Sequence, residues 1–264
     1  MIGFEPLVVS IGPWALRAFG VLALVGLGAA IAFTVRAAMH AGIQTTSVAR
    51  ALAWAIPVGI LGARATHVLG WWDYYLMHGS ELAQLSPDGL ALWGGLACGA
   101  AAAWIALRGN GADRRVIFDV AAPGIALGIA IGRLGQFLDG YGQGIPSTLP
   151  WATQYASPLM ASPDFGVARH PVQVYDGLVA LALFVALTRV PLRWQGRMFL
   201  LVFAATTLAL APLRLEPAFL FGLQIDQMLA GVTLVLALAA SAHRFKMKTV
   251  WRTGAHEADP VLEA

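Results

Sequence analysis

Hydrophobic residues are grouped along the chain into seven long runs, and shorter polar segments separate these runs. A run of about 20 apolar residues with few charges crosses the roughly 30 Å hydrocarbon core of a bilayer as a helix. The pattern therefore predicts an all-α polytopic membrane protein with about seven transmembrane helices, the sixth of them short for a full crossing. The predicted helices cover residues 14–35, 51–72, 90–107, 116–138, 172–188, 197–213 and 219–241.

The same pattern divides the chain into two parts. Residues 1–242 are predicted to form one transmembrane domain, in which residues 139–171 make an outer-face loop that contains glycines and prolines. Residues 243–264 are first basic and then acidic, and they lack an apolar periodicity. They are predicted to form a cytoplasmic tail.

Basic residues indicate the direction in which the helices run. Of the 17 lysines and arginines, 12 follow the first, third, fifth and seventh runs. Because cytoplasmic loops carry an excess of lysine and arginine, the N-terminus is predicted to lie outside and the C-terminus in the cytoplasm. The twelve residues are Arg36, Arg50, Arg108, Arg114, Arg115, Arg189, Arg193, Arg197, Arg244, Lys246, Lys248 and Arg252.

Composition supports a membrane location and excludes other classes of protein. The chain is 58% hydrophobic and 12% charged, and its mean hydropathy of +0.70 is well above that of a soluble domain. Its net charge is +3, but the basic residues are spread between apolar runs, so no nucleic-acid-binding face is predicted. The single cysteine, Cys98, cannot form an intrachain disulfide and is predicted to be a small buried residue.

Five arginines remain when the loop residues are subtracted, and each lies inside an apolar run or at its outer edge. An unpaired charge at the depth of Arg133 is costly, so its side chain is predicted to face the helix bundle or a wet cavity. Because few acidic residues lie in apolar runs, the surplus of cation predicts an anionic ligand, and a phospholipid headgroup supplies one. The set, predicted to converge on one outward-opening chamber, is Arg17, Arg64, Arg133, Arg169 and Arg214.

A simpler interpretation stays open for part of this set. Arginines near helix ends often extend their side chains to the membrane surface, which accounts for Arg17, Arg169 and Arg214 taken singly.

Few acidic residues are available as partners for the five arginines. Those predicted on the same side of the membrane are Glu5, Asp73, Glu81, Asp88, Asp139, Asp164, Asp176, Glu216 and Asp226.

The fourth run contains the first segment with candidate chemistry. Gln136 follows Arg133 by three residues and therefore lies on nearly the same face of the helix. Gly124, Gly128 and Gly132 recur at every fourth residue, a spacing that predicts the close approach of another helix. The helix is predicted to place Arg133 and Gln136 beside a bound ligand.

The second candidate segment, "RHPVQVYDG" at residues 169–177, places a histidine at the outer tip of the fifth helix. Pro171 suits a first helical turn, so His170 lies at the helix start and Gln173 on the adjacent turn. A histidine there is a candidate proton acceptor. The alternative is a histidine that merely lies at the membrane interface.

These segments resemble the paired signatures of prolipoprotein diacylglyceryl transferases, G-R-x-G-N-F-x-N-G and H-P-[ST]-Q-x-Y-E. The matching stretches here are "GRLGQFLDG" and "RHPVQVYDG". Further stretches resemble that family in the same order along the chain. They are "IGPWALRAFG" near the start, "LGARATHVL", "LWGGLACG", "PLRLEP" and "IDQML".

The resemblance implies a reaction, a location and a set of site residues. Such enzymes lie in the bacterial inner membrane and move the diacylglyceryl group of phosphatidylglycerol to the lipobox cysteine of a preprolipoprotein. The implied partners are phosphatidylglycerol and preprolipoprotein signal peptides, and no metal or organic cofactor is implied. The implied catalytic residues are Arg133, His170 and Arg214, and the implied substrate-binding residues are Arg17, Arg64, Trp93, Gly94, Gly95, Gln136, Asp139, Gly140, Gln173, Tyr175 and Gln227.

At some positions the sequence departs from the family pattern. Trp93 stands where the family has a histidine, and Phe19 stands where it has a tyrosine. In the catalytic hypothesis His170, or else His67, serves as the base. The alternatives are an enzyme of the same fold that uses another acceptor or lipid, and a non-catalytic relative that binds anionic phospholipid or a lipoprotein precursor. A small-molecule transporter is the most remote of them, because the sequence lacks paired broken helices in matching halves.

Overall fold

The computed structural model describes residues 2–4, 8–11, 14–83, 89–109, 113–155, 166–217, 219 and 221–256, with side chains described between residues 17 and 242. Its framework is helical, with two small pairs of strands. The helices are α1 (Ala18–His40), α2 (Thr45–Gly70), α3 (Trp72–Met77), α4 (Leu92–Ala106), α5 (Arg114–Asp139), α6 (Val172–Leu187), α7 (Leu192–Leu210) and α8 (Ile225–His256). The strands are β1 (Ile2–Phe4), β2 (Val8–Ile11), β3 (Trp14–Arg17) and β4 (Thr153–Tyr155).

Each of the seven predicted apolar runs coincides with a helix. Among the described residues, five helices are long and apolar enough to cross a membrane: α1, α2, α5, α7 with its extension to Leu213, and the part of α8 up to Ala242. The apolar helices α4 and α6 are shorter, at 15 and 16 residues. The all-α membrane class is therefore confirmed, and the count of seven crossings stays a prediction.

Several helix starts differ from the sequence prediction, and α2 begins at Thr45, six residues earlier than expected. Residues 14–17 were expected to be helical, but they form β3, which pairs antiparallel with β2. A short apolar stretch does not by itself distinguish a strand from a helix. The sixth run was expected to begin at residue 197, but α7 begins at Leu192, directly after Pro191. Its first turns carry Arg193 and Arg197, and with its extension to Leu213 it has 22 residues, so the sixth helix is not short for a crossing.

The last helix also differs at both of its ends. The seventh run was expected to begin at residue 219, whereas α8 begins at Ile225. Its backbone stays helical to His256, so most of the predicted tail continues the helix. Residues 257–264 of that tail lie outside the described residues, as do Glu5, Asp88 and Asp164.

Packing divides the helices into groups. Helix α1 lies along α5, and α2 lies along α4, while α5, α6, α7 and α8 surround the main apolar core. Strand β1 pairs in parallel with β4, which ties the N-terminal segment to the loop after α5. The core is formed by Trp93, Ala122, Ala126, Ile129, Ala180, Leu183, Leu187, Phe199, Phe203, Ala204 and Ala230.

Glycines allow α1 and α5 to approach closely. A Cβ atom at Gly124 would lie 2.7 Å from the carbonyl oxygen of Ala30, and one at Gly128 would lie 2.9 Å from that of Gly26. The close approach predicted for these two glycines is confirmed. It is wrong for Gly132, around which a Cβ would meet nothing within 4 Å. Residues spaced by four drift gradually around an α-helix, so Gly132 no longer faces α1.

The α2–α4 contact is expected to be sensitive to a single methyl group. A Cβ at Gly94 would lie 2.0 Å from Thr66 Oγ1 and 2.8 Å from the carbonyl oxygen of Gly62, which is backbone and cannot rotate away. Gly94→Ala is therefore expected to cost about 1–3 kcal/mol of stability. The melting temperature of the detergent-purified protein is expected to fall by several degrees.

Gly28→Ala provides the matched control for this prediction. Gly28 lies within α1, and a Cβ there would meet nothing within 4 Å. Alanine has the higher helix propensity, so the control is expected to keep or raise the melting temperature. Equal melting temperatures for the two variants would show that α2 and α4 are not in tight contact.

Candidate functional site

Residues 140–155 and 166–171, the described part of the segment between α5 and α6, form a cap at the end of the helices where Arg133 lies. His170 N–H donates to the carbonyl of Ile145 at 3.1 Å, and Gly144 N–H donates to the carbonyl of His170 at 2.9 Å. Ile145 N–H in turn donates to the carbonyl of Leu213 at 2.9 Å. The cap thus joins the end of α7 to the start of α6, and it brings polar residues from three helices to one place.

A carboxylate links two buried arginines beneath this cap. Asp176 Oδ2 lies 3.1 Å from a terminal nitrogen of Arg133 and is also bonded to a terminal nitrogen of Arg214. The three side chains come from α5, α6 and the residue after α7, and their exposed fractions are 13%, 4% and 7% for Arg133, Asp176 and Arg214. Arg133 also donates to Gln136 Oε1 at 2.6 Å.

Each of the two arginines has one buried donor that no described residue satisfies. The Nε groups of Arg133 and Arg214 are buried, and neither has a hydrogen-bond partner among the described residues. A buried cationic N–H without an acceptor is unfavourable. Phosphate oxygens are suitable acceptors because the guanidinium group donates parallel, charge-assisted hydrogen bonds. The arrangement can therefore hold an anion.

The predicted surplus of cation is wrong for this cluster. Asp176 already bridges the two guanidinium groups, and Glu216 lies 3.6 Å from Arg214. Asp226 also interacts electrostatically with both arginines. These carboxylates were known from the sequence, but the contacts that bring them to Arg133 and Arg214 join distant parts of the chain. A charge in or beside an apolar run is the sequence feature that marked the buried arginines. Asp176 and Asp226 have the same feature and could have been identified by it.

Arg64 does not join the other predicted arginines. Its guanidinium group donates to three backbone carbonyls, those of Glu81 at 2.6 Å, Gly89 at 3.1 Å and Leu82 at 3.2 Å. It also lies 5.0 Å from the ring centre of Tyr75. Arg64 therefore holds the loop after α3 in place, and a chamber that contains all five arginines is not formed.

Arg17 and Arg169 hold other parts of the cap. Arg17 precedes α1 and donates to the hydroxyl of Tyr141 at 2.5 Å. Arg169 is 1% exposed and donates to the carbonyl of Gly144 at 3.2 Å, while its backbone pairs with that of Thr153. The snorkelling alternative is thus wrong for Arg169, which is buried in protein.

The signature loop after Arg133 is tied to the start of α1. Asp139 is 1% exposed, and its Oδ2 accepts from Phe19 N–H at 2.8 Å, in the first turn of α1. A carboxylate suits that position because the first N–H groups of a helix lack partners within the helix. Gly140 ends α5 with a φ of +74°, a left-handed conformation that favours glycine. Both residues were predicted to bind substrate, and the structure places them in helix capping.

The cap is also attached to α5 by a tyrosine. Burial raises the pKa of Tyr155, so its hydroxyl stays protonated. That hydroxyl donates to the carbonyl of Phe137 at 2.6 Å. Gln173, which is 1% exposed, adds a bond from its Nε2 to the carbonyl of Tyr141 at 2.6 Å. The predicted ligand Gln173 therefore already binds the loop, and its Oε1 has no partner among the described residues.

His170 lies in an aromatic group at the edge of the cap. Its Nδ1 is 3.4 Å from the hydroxyl of Tyr175, which accepts from Trp151 Nε1 at 2.8 Å. In the part of the chain that the structure describes, His170 makes no hydrogen bond or ion pair with Arg133, Asp176 or Arg214. The predicted base is therefore separate from the arginine cluster.

Other predicted substrate-binding residues are used in packing and capping. Trp93 is 5% exposed, stacks on Phe203 at 4.9 Å between ring centres and donates its N–H to Thr207 Oγ1 at 3.0 Å. Gly94 and its neighbour Gly95 face α2. Gln227 Oε1 accepts from the N–H of Gln224 at 2.8 Å, a capping contact at the start of α8.

Comparisons with known proteins point to one family. A family model described as prolipoprotein diacylglyceryl transferase matches residues 6–249. A phosphatidylglycerol-prolipoprotein diacylglyceryl transferase of Frankia alni is 34% identical over 244 residues, which are 88% of this chain and 64% of that protein. One of Dehalococcoides mccartyi is 30% identical over 249 residues, which are 92% of this chain and 95% of that protein. One of Finegoldia magna is 26% identical over 238 residues, covering 88% and 92%.

Proposed function

The chain belongs to the prolipoprotein diacylglyceryl transferase family, and we propose that it moves the diacylglyceryl group of phosphatidylglycerol to the lipobox cysteine thiol of prolipoproteins. The observation that carries this proposal is the pair of buried arginines, Arg133 and Arg214, held by Asp176 with both Nε donors unsatisfied by the described residues. The named relatives act on phosphatidylglycerol and prolipoprotein, which supplies the substrate class.

In this proposal the phosphate of the lipid accepts from the Nε groups of Arg133 and Arg214, whose terminal nitrogens already contact Asp176. A sulfur–carbon bond forms at the glyceryl carbon next to the phosphate while the carbon–oxygen bond to phosphate breaks. The departing glycerol phosphate gains negative charge, and two positioned guanidinium groups stabilise that charge as it develops. Asp176 keeps the two like charges close together and fixes their orientation. Residues at the edge of the cap, including His170 and Tyr175, line the route by which the substrates reach the arginines.

We also propose a membrane arrangement for the site. All seven apolar helices cross the bacterial inner membrane, with the N-terminus outside and the C-terminus in the cytoplasm. Support comes from α5 and α7, in which Arg114 and Arg193 lie at the end opposite to the Arg133–Arg214 pair. Helices α4 and α6 are about 24 Å long or less, at 1.5 Å per residue. Their short length leaves the site recessed beneath the outer surface.

Transfer by the purified protein tests the proposal directly. The protein in nanodiscs that contain phosphatidylglycerol is mixed with a peptide that carries a lipobox cysteine. We expect the peptide mass to increase by one diacylglyceryl group and glycerol phosphate to accumulate in equal amount. A peptide with serine in place of the cysteine is the control and is expected to stay unmodified. Lipid binding without a modified peptide would contradict the enzymatic function.

A further inference from the structure

Transfer to a thiol releases a proton, because the thiolate is the nucleophile. The structure places the histidines considered from the sequence as the base beside aromatic rings, and His67 packs against Trp71 and Tyr75. Trp93, at the position of the family's histidine, is an indole and has no acceptor nitrogen. His170 faces the hydroxyl of Tyr175 at the edge of the cap. A better-placed group lies near the arginine cluster.

Asp226 lies at the second position of α8, where its carboxylate is near enough to the arginine cluster to interact with its charges without an ion pair to any of its members. It interacts electrostatically with Glu216, Arg214, Arg133 and Asp176, which come from α5, α6 and the segment after α7. Its Oδ1 is buried and has no hydrogen-bond partner among the described residues. An unsatisfied carboxylate oxygen therefore lies near the cluster that contains the unsatisfied Nε donors.

Asp226 differs from the other two carboxylates of the site because, in the described part of the chain, they form ion pairs with arginine and it does not. Asp176 contacts both guanidinium groups, and Glu216 contacts Arg214 and is 34% exposed. Asp226 has no ion pair within 4.0 Å among the described side chains. Two arginines thus face three carboxylates before any phosphate arrives. A proton taken up by Asp226 removes a buried charge that has no direct counter-ion.

We propose that Asp226 is the catalytic proton acceptor for the attacking thiol, an assignment that rests on the proposed transfer function. The thiol proton moves to the carboxylate of Asp226 as the sulfur forms its bond to the glyceryl carbon. The carbon–oxygen bond breaks at the same carbon, and its electron pair leaves with glycerol phosphate between Arg133 and Arg214. Release of the proton to water restores the carboxylate for the next turnover.

A matched control distinguishes catalysis by Asp226 from a purely structural role of its charge at the helix start. An acidic residue in the first turn of a helix stabilises the positive end of the helix dipole, and Asp226 occupies such a position. Asp73 is likewise the second residue of its helix, α3, but it is exposed and lies outside the cluster. Asp73→Asn removes the same kind of charge without touching the site.

The test compares Asp226→Asn, Asp226→Glu, Asp73→Asn and His170→Gln with the wild type across a range of pH. We expect Asp226→Asn to lower kcat by at least ~100-fold at pH 7, the scale of general-base catalysis, while KM for phosphatidylglycerol changes little. The loss is expected to shrink as the pH passes about 8.5, where a free thiol ionises unaided. Asp226→Glu is expected to retain most of kcat, and Asp73→Asn to match the wild type.

Several results would overturn the assignment. Wild-type kcat and pH profile in Asp226→Asn would remove Asp226 from catalysis. A rise in KM alone would mean that the carboxylate binds the lipid headgroup, and a loss that high pH does not reverse would mean a structural role. A pH-reversible loss in His170→Gln instead would assign the base to that histidine. Absence of product from the wild type would overturn the transfer function itself, whereas an active wild type matched by Asp226→Asn would overturn this assignment alone.

Discussion

Replacing Arg133 by glutamine is expected to lower kcat/KM for diacylglyceryl transfer by about 10³-fold or more. Glutamine keeps a neutral donor but removes the charge, and loss of one positioned donor to a developing anion costs about 10²–10³-fold in other enzymes. The ion pair to Asp176 is lost at the same time. Arg133→Lys is expected to be intermediate, because lysine keeps the charge without the planar fork.

Arg114→Gln is the control for the Arg133 variant. Arg114 begins the same helix, α5, at its opposite end, where its guanidinium carbon lies 4.8 Å from the ring centre of Trp104. Transfer measured by peptide mass is expected to be unchanged in this variant. An Arg133→Gln protein that folds and transfers at the wild-type rate would contradict phosphate binding by Arg133.

Replacing Asp176 by alanine is expected to have the largest effect on stability. The change leaves two buried guanidinium groups without their shared carboxylate, and breaking a buried ion pair from one side costs about 3–5 kcal/mol. The melting temperature of the purified protein is expected to fall sharply. Addition of phosphatidylglycerol is expected to restore more of it than in the wild type, because the lipid phosphate supplies the missing anion between Arg133 and Arg214.

Two further variants make the Asp176 prediction specific. Asp176→Glu keeps the carboxylate and is expected to retain most of the stability. Asp73→Ala removes an exposed acidic residue at the same side of the protein and is expected to leave the melting temperature within about 1 °C, as for most surface substitutions. An Asp176→Ala protein that is as stable as the wild type, with no response to lipid, would show that the carboxylate does not hold the two arginines together.

The helices could be located from the sequence because burial in a bilayer requires long apolar runs. Their ends were missed where hydropathy alone set the boundaries, because local interactions decide them. Pro191 precedes α7 directly, which places Arg193 and Arg197 in its first turns. Before α1, strand pairing between β2 and β3 extends to Arg17. Neither a strand pair nor a helix-capping proline changes the hydropathy of the stretch in which it occurs.

The site was predictable in part for a similar reason. The cost of burying charge singled out Arg133 and, together with the family resemblance, Arg214. Their counter-ion, Asp176, could not be assigned, because the contact joins α5, α6 and the end of α7 across long sequence separations. Asp139 and Gln227 match signature positions, yet each makes a capping bond to the backbone of a helix. Sequence motifs alone do not separate residues that bind substrate from residues that hold the site together.

The substitution at Trp93 was visible in the sequence, but its consequence was not. Stacking on Phe203 and a bond to Thr207 place the indole in the apolar core. The position therefore contributes to packing between α4 and α7, and an indole has no acceptor nitrogen for a proton. Asp226 is the residue that we propose as the proton acceptor, because its buried carboxylate oxygen has no hydrogen-bond partner among the described residues.

The most direct test of phosphate binding by the arginine pair is an experimental structure of the protein with phosphatidylglycerol bound. We expect the lipid phosphate to lie between Arg133 and Arg214, with its oxygens accepting from the two Nε groups and the glyceryl carbon on the side of Asp226. A phosphate bound at Arg64 or Arg17, with the Arg133–Asp176–Arg214 contacts closed and empty of lipid, would contradict the proposal.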